Sequence, residues 1–194
     1  MENLRFLHLS WDDIQRLVEV VASKIEASGF RSDIVIAISR GGFDPARILC
    51  DQLSIRRLAS VQVVAYDGMV KRPEPVVVIP INADLAGKKA LVVDDVSDSG
   101  ASIIKAREHI KEKGASAVKI ATIHIKPWSR FIPDYYAESV DEWVVYPWEL
   151  KECLLEVAGK IRSSGLSDKD IAEKLVEVGF KKMDVDRYVL FEDI

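Results

Sequence analysis

The stretch ALVVDDVSDSGASI, residues 90–103, decides the fold of this chain and most of its chemistry. Its first four residues are apolar, which is typical of a strand buried on both faces of a parallel sheet. Asp94 and Asp95 follow directly, and a loop of Ser, Asp and Gly residues then precedes a helical pattern. An unpaired carboxylate is costly inside an apolar layer. We therefore expect both acids at the carboxyl edge of a sheet, where ligands of α/β proteins bind.

The residues after the two acids predict an anion site. The loop SDSGAS, residues 97–102, offers hydroxyls, a glycine turn and the unpaired N–H groups of a helix N-terminus. The helix dipole and these N–H groups favour a phosphate. Asp94 and Asp95 can accept hydrogen bonds from vicinal hydroxyls or hold a metal through water. Together these features predict a ribose 5-phosphate site. The motif SDSG alone would indicate only an ordinary helix cap beside two solvated acids.

A second candidate anion loop follows another apolar strand. Residues 34–38, IVIAI, run into Ser39-Arg40-Gly41-Gly42. Two glycines let backbone N–H groups approach an anion closely, and an arginine beside them suits a polyphosphate. Farther on, Lys71 and Arg72 fall in the stretch KRPEP, residues 71–75, which reads as an exposed, mobile loop.

The pattern along the chain predicts an α/β fold, with a mostly parallel sheet flanked by helices and a Rossmann-like core. Further strands are expected at 61–66, 76–81, 117–125 and 143–146, and a helix over 101–113. After Glu149 the composition changes to two amphipathic helices and a short strand at 187–191. The predicted domains are therefore residues 1–149 and a small helical appendage, residues 150–194.

Composition excludes several classes of protein. The net charge of −4 is spread without blocks, which argues against nucleic-acid binding. No apolar run is long enough for a membrane span, and the N-terminus does not resemble a secretory signal. Cys50 and Cys153 lack metal-like spacing and are interpreted as reduced, buried thiols of a cytoplasmic protein. Asn and Gln are scarce, which favours a protein from a thermophile. Trp11 and Trp128 are interpreted as packing residues.

The segment VVDDVSDSGAS, residues 92–102, resembles the phosphoribosyl pyrophosphate (PRPP) motif of type I phosphoribosyltransferases, with Ser99 and Ser102 in place of the common threonines. Both serines keep the hydroxyl. SRGG resembles the pyrophosphate loop of the xanthine-guanine enzymes, which implies a strained Arg40–Gly41 peptide that is a candidate for the cis form. The resemblance covers roughly residues 10–149.

This resemblance implies a role for each candidate residue. Catalysis would rest on Arg40 at the pyrophosphate, Asp94 and Asp95 at the ribose hydroxyls or on Mg²⁺, and Asp98 as the base near purine N7. The remaining implied sites are the 5-phosphate loop Asp98, Ser99, Gly100, Ala101 and Ser102, the pyrophosphate loop Ser39, Arg40, Gly41 and Gly42, the flexible lid Lys71 and Arg72, and the base site Lys126, Trp143 and Val144.

The implied function is purine salvage by a cytoplasmic homodimer. Ribose 5-phosphate would pass from PRPP to a 6-oxopurine such as hypoxanthine, guanine or xanthine, without nucleic-acid or membrane partners. An adenine enzyme on the same scaffold and a non-catalytic PRPP-sensing regulator remain alternatives. The stretch LSDKDIAEKLVEVGF, residues 166–180, resembles the first helix of a helix-turn-helix, but no recognition helix follows it. A receiver-type domain would not explain both loops. The appendage is expected to cover the base pocket or to extend a dimer interface.

Overall fold

The computed structural model describes residues 5–67, 70–162 and 165–190, with side chains described outside 65–73. The side chains of Lys71 and Arg72, the predicted lid, are therefore not among those described. Over the described ranges the elements are β1 (Phe6–His8), α1 (Trp11–Ala27), β2 (Ile34–Ser39), α2 (Phe43–Gln52), β3 (Leu58–Asp67), β4 (Val70–Ile79), β5 (Lys89–Ser97), α3 (Ala101–Glu112), β6 (Ala117–Ile125), β7 (Tyr135–Ser139), β8 (Trp143–Val145), α4 (Leu150–Arg162), α5 (Asp168–Glu177), α6 (Lys182–Val185) and a π-helical turn (Asp186–Leu190).

The larger of two compact units spans Asp12–Asp141 and is built on a mostly parallel sheet. Its described strands lie in the order β4-β3-β2-β5-β6-β7, and only the β3–β4 pair is antiparallel. The chain leaves β2 through α2 towards β3 on one side, and leaves β5 through α3 towards β6 on the other. The adjacent strands β2 and β5 therefore form the switch point of the sheet, where doubly wound folds bind ligands. The predicted α/β class is confirmed.

Apolar strands and one face of α3 form the core of the larger unit. The side chains of β2 are buried from Ile34 to Ile38, as expected for a central parallel strand. Ile34, Ile36 and Ile38 share one cluster with Val92 of β5 and with α3. The buried residues of α3 in this cluster recur at helical spacing; they are Ile103, Ala106 and Ile110. Packing on both sides of the sheet holds the ends of β2 and β5 in register, at Ala37 opposite Val93.

The smaller unit comprises Met1–Trp11 and Glu142–Ile194. Strands β1 and β8 pair in parallel, and Val145 of β8 is buried in a cluster with Leu154 of α4 and Leu175 of α5. The predicted boundary at Glu149 thus differs from this division. Residues 142–149 and the first strand share a core with the helices of the predicted appendage, which short-range composition does not reveal.

Two local predictions were wrong. Residues 71–75 belong to β4 and do not form a loop; β4 ends the sheet, and an edge strand tolerates Pro73 and Pro75. The strand expected at 187–191 is the π-helical turn Asp186–Leu190. Its Val189 is buried among helical neighbours, so packing overrides the strand preference of this sequence. No helix in the described part of the chain is long and apolar enough to cross a membrane.

Candidate active site

The two predicted anion loops meet at the carboxyl ends of β2 and β5. Ser39 ends β2 and residues 40–42 follow it, whereas residues 98–100 connect β5 to α3. Because β2 and β5 are adjacent and parallel, both loops leave the same edge of the sheet. The sequence predicts the two loops separately, and the structure brings both loops together at the switch point.

Glycine is required where the first loop passes Asp95 and the end of β2. A Cβ atom built on Gly41 would lie 2.5 Å from Cγ of Asp95, and one built on Gly42 would lie 2.6 Å from the carbonyl oxygen of Ile38. No side chain fits at either distance. The loop backbone therefore lies directly against the Asp95 carboxylate.

One detail of this loop was predicted wrongly. The cis peptide bond joins Ser39 to Arg40, one bond before the Arg40–Gly41 peptide that the family resemblance implied. Gly42 then precedes the first turn of α2, which starts at Phe43 without a side-chain cap among the described residues. The predicted pyrophosphate loop thus leads into a helix N-terminus, where unpaired N–H groups favour an anion.

Asp94 and Asp95 lie within β5 and do not follow its end, because the strand continues to Ser97. Asp95 is 8% exposed, whereas Asp94 is half-buried. Oδ1 of Asp94 accepts a hydrogen bond from the N–H of Asp95 at 3.1 Å, and Oδ1 of Asp95 accepts one from the N–H of Val96 at 2.7 Å. These bonds fix both carboxylates and satisfy part of the acceptor capacity of the buried one.

The second loop turns at Gly100, whose φ of 77° is left-handed. Helix α3 starts at the next residue, Ala101, and no side chain of the described residues caps its N-terminus. The N–H of Ala101 has only a long contact, 3.4 Å, to Oγ of Ser99. The start of α3 therefore offers N–H groups and two hydroxyls, those of Ser99 and Ser102, to an anion.

A third loop, residues 126–131 after β6, lies along the second one. The N–H of Lys126 donates to the carbonyl of Ser97 at 3.0 Å, and the N–H of Arg130 donates to the carbonyl of Ser99 at 3.3 Å. A Cβ atom on Gly100 would lie 2.6 Å from Cβ of Phe131. The two loops are thus in contact along their length.

Trp128 lies in this third loop, and the sequence did not predict its position beside Asp98. Its Nε1–H donates to Oδ1 of Asp98 at 2.9 Å, and its side chain is 56% exposed, so it is not a core packing residue. The ammonium of Lys126 lies 5.7 Å from the centre of its ring. The available signal was its position two residues after Lys126, which directly follows an apolar strand.

Lys126 directly follows β6 and is 8% exposed. The neighbouring His124, on the same strand, is fully buried. Burial, and secondarily the charge of Lys126, lowers the pKa of His124 to about 4. The imidazole is therefore neutral at physiological pH, and the buried positive charge in this region is that of Lys126.

The other two predicted base-site residues, Trp143 and Val144, belong to the smaller unit. The Trp143 ring packs against Phe6 at 6.3 Å between centroids, and the ammonium of Lys160 lies 4.4 Å from its centre. Val144 is buried. Lys126 belongs to the larger unit, so a base pocket shared by these three residues stays a prediction.

Comparison with known proteins decides the family. Residues 10–152 match the model of the phosphoribosyl transferase domain. The chain belongs to the phosphoribosyl transferase family. The resemblance drawn from residues 92–102 is thereby confirmed, and so is the expectation of a pentosyltransferase. The matched region includes both anion loops and ends inside α4.

Curated relatives of this phosphoribosyl transferase carry purine names. It is 33% identical to the xanthine-guanine phosphoribosyltransferase of Cereibacter sphaeroides over 74% of this chain and 86% of that protein. It is 31% identical to the enzyme of the same name from Gluconobacter oxydans, over 84% of this chain and 95% of that one.

A solved structure supports the same assignment. The purine phosphoribosyltransferase of Pyrococcus horikoshii is 35% identical with a TM-score of 0.66, and the match covers 75% of this chain and 94% of that one. A Neisseria gonorrhoeae protein solved with bound ppGpp is 30% identical with the same TM-score, over 77% and 94% of the two chains.

Proposed function

We propose that this phosphoribosyl transferase moves ribose 5-phosphate from PRPP to a 6-oxopurine, in purine salvage. The observation that carries the proposal is the meeting of the SRGG loop and the DDVSDSGAS segment at the switch point between β2 and β5. The purine names of relatives at 31–35% identity support the choice of acceptor. The products are a purine nucleoside monophosphate and pyrophosphate.

PRPP presents a phosphate, a diol and a pyrophosphate, and the site offers a partner for each. The 5-phosphate binds the loop Asp98–Ser102, whose helix N-terminus favours an anion. The ribose hydroxyls donate to Asp94 and Asp95. The pyrophosphate binds the backbone of Ser39–Gly42 and the guanidinium of Arg40, which suits polyphosphates. Lys71 and Arg72 close over the substrate as a lid.

Magnesium fits this donor set as a companion of the substrate. Among the described residues no three His, Cys, Asp or Glu side chains gather as a metal cluster. Mg²⁺ does not require such a cluster, because it binds one or two carboxylates and completes its shell with water and substrate phosphates. Asp94 and Asp95 supply those carboxylates, directly or through water. Bound there with PRPP, the ion would neutralise charge on the leaving pyrophosphate.

The chemical step exchanges one bond at the sugar for another. The bond from C1′ to the pyrophosphate oxygen breaks while purine N9 bonds to C1′, and the proton on N7 passes to the carboxylate of Asp98. Positive charge that develops on the sugar is stabilised by Asp94 and Asp95, and Arg40 binds the departing pyrophosphate. Positioning and electrostatics therefore supply the catalysis.

Recognition of the base rests on Lys126, Trp143 and Val144. A lysine ammonium only donates hydrogen bonds, so Lys126 favours a 6-oxo group over a 6-amino group. Trp143 stacks on the purine, and the backbone carbonyl of Val144 reads the 2-position. The enzyme acts as a cytoplasmic homodimer.

The test is an assay with PRPP, Mg²⁺ and each of hypoxanthine, guanine, xanthine and adenine. We expect nucleoside monophosphate and pyrophosphate to form in a one-to-one ratio with 6-oxopurines. Turnover of adenine alone would reassign the acceptor. If no base is turned over and a gel shift at moderate salt shows sequence-specific DNA binding, the chain is a PRPP-sensing regulator and the proposal fails.

A further inference from the structure

Trp128 combines an exposed ring with a fixed polar end. More than half of its side chain is accessible, at 56%, although indoles usually bury much of their surface. Its one donor, Nε1–H, is nevertheless bonded to Asp98 at 2.9 Å, an ordinary hydrogen-bond length. Burial does not account for this tryptophan, whereas the bond to Asp98 does.

The backbone of both residues is held in place by the contacts of their loops. Lys126 and Arg130, on either side of Trp128, donate backbone hydrogen bonds to Ser97 and Ser99, on either side of Asp98. Oγ of Ser97 also contacts Oγ of Ser129 at 2.9 Å and donates to the carbonyl of Phe131 at 3.0 Å. Because four neighbouring residues are tied across the two loops, Trp128 and Asp98 face each other in a defined arrangement.

The hydrogen bond gives the two carboxylate oxygens of Asp98 different roles. Oδ1 accepts from the indole, and in the described part of the chain the structure gives Oδ2 no protein donor. An indole N–H only donates, so it stabilises a carboxylate acceptor without competing for the proton of the base. Oδ2 is left to accept that proton.

We infer that Trp128 is a positioning residue for Asp98 in the transfer reaction. Its N–H holds Oδ1 so that Oδ2 meets N7 of the purine, and its ring lies beside Lys126, the predicted partner of the 6-oxo group. The inference rests on the proposed function, because it assigns Trp128 a part in the same chemical step. It also explains why a large aromatic side chain stays at the surface of this loop.

The variant Trp128→Phe removes the N–H and keeps an aromatic ring. We expect kcat to fall about tenfold, as for loss of one charge-assisted hydrogen bond, with the KM for the purine and for PRPP nearly unchanged. Trp11→Phe is the matched control, since Trp11 is equally exposed at 53% and lies outside the site loops; it should retain the wild-type kcat. Circular dichroism and thermal unfolding establish that each variant is folded.

A double-mutant cycle with Asp98→Asn separates positioning from a general structural effect. If Trp128 acts through Asp98, Trp128→Phe should leave kcat unchanged in the Asp98→Asn background. An unchanged kcat in the single Trp128→Phe variant would overturn the inference, as would a full tenfold loss in both backgrounds. Absence of turnover by the wild-type protein is a different result, because it would overturn the proposed function itself.

Discussion

Gly41 lies in the loop after β2 and Asp95 lies in β5, yet the backbone of Gly41 lies against the carboxylate of Asp95. A Cβ atom on Gly41 would stand 2.5 Å from Cγ of Asp95. The proposed pyrophosphate loop and the acids proposed to bind the diol therefore pack as a single structure, and a change in one displaces the other.

Gly41→Ala should disable the site while leaving the fold intact. Overpacking costs about 1–3 kcal/mol, and a loss of that size in transition-state binding lowers kcat/KM for PRPP about 5- to 160-fold. Initial rates over a PRPP titration measure this. The matched control is Gly159→Ala, because a Cβ at that position in α4 meets nothing within 4 Å. It should retain full activity and gain up to about 1 kcal/mol of stability. Equal rates for the two variants would contradict the account.

The pair Gly100 and Gly87 tests the phosphate loop. Both have left-handed φ values, 77° and 70°, so alanine strains the backbone at each and costs about 1–2 kcal/mol of stability. Only at Gly100 does the added Cβ also meet Phe131, whereas at Gly87 it meets nothing within 4 Å. Thermal unfolding should therefore show losses in both variants, and PRPP binding by calorimetry should weaken in Gly100→Ala alone. Equal PRPP affinities for Gly100→Ala and Gly87→Ala would show that the 5-phosphate does not bind this loop.

The sequence predicted these two loops well because their signals are local. An apolar run followed at once by Asp94-Asp95, or by Arg40-Gly41, is visible without any tertiary information, and parallel strands bring such ends to one edge. Helix α3 was likewise predicted to within a residue of its end at Glu112.

The parts that were missed depend on long-range packing. The hydrogen bond from Trp128 to Asp98 joins residues 30 positions apart, and no periodicity encodes it. Pro73 and Pro75 predict a loop at residues 71–75, because proline is tolerated in a sheet only at its edge, and edge position is a property of the whole sheet. The core that joins Val145 to α4 and α5 was hidden for the same reason.

Buried His124 should make stability depend on pH. Its pKa is near 6.5 when unfolded and about 4 in the folded protein, because burial and Lys126 disfavour the charged ring. Between pH 4 and pH 6.5 His124 binds a proton in the unfolded state but not in the folded state. The free energy of unfolding is therefore highest above pH 6.5 and falls as the pH drops to about 4. The loss amounts to about 3 kcal/mol.

Urea unfolding at several pH values measures the effect. In His124→Gln the stability difference between pH 7 and pH 4 should shrink by that amount. If the free energy of unfolding of His124→Gln depends on pH as strongly as that of the wild type, another group causes the pH dependence.

The two cysteines should resist thiol reagents in the folded protein. Burial, with smaller contributions from Glu149 and Glu156, raises the pKa of Cys153 to about 12, and burial also raises the pKa of Cys50. The thiolate is the reactive species. Labelling with Ellman's reagent at pH 8 should therefore be slow in native protein and rapid for both thiols in denaturant. Rapid labelling of the native protein would contradict the burial of these residues.

The most direct test of the central claim is the ratio of kcat/KM for hypoxanthine to that for adenine, measured by pyrophosphate release with saturating PRPP and Mg²⁺. A lysine that only donates should prefer the 6-oxo group, because the 6-amino group places a donor against it. We predict a ratio of at least about a hundred for the wild-type protein, falling towards one in Lys126→Ala. A wild-type ratio at or below one would contradict the assignment of this chain as a 6-oxopurine phosphoribosyltransferase.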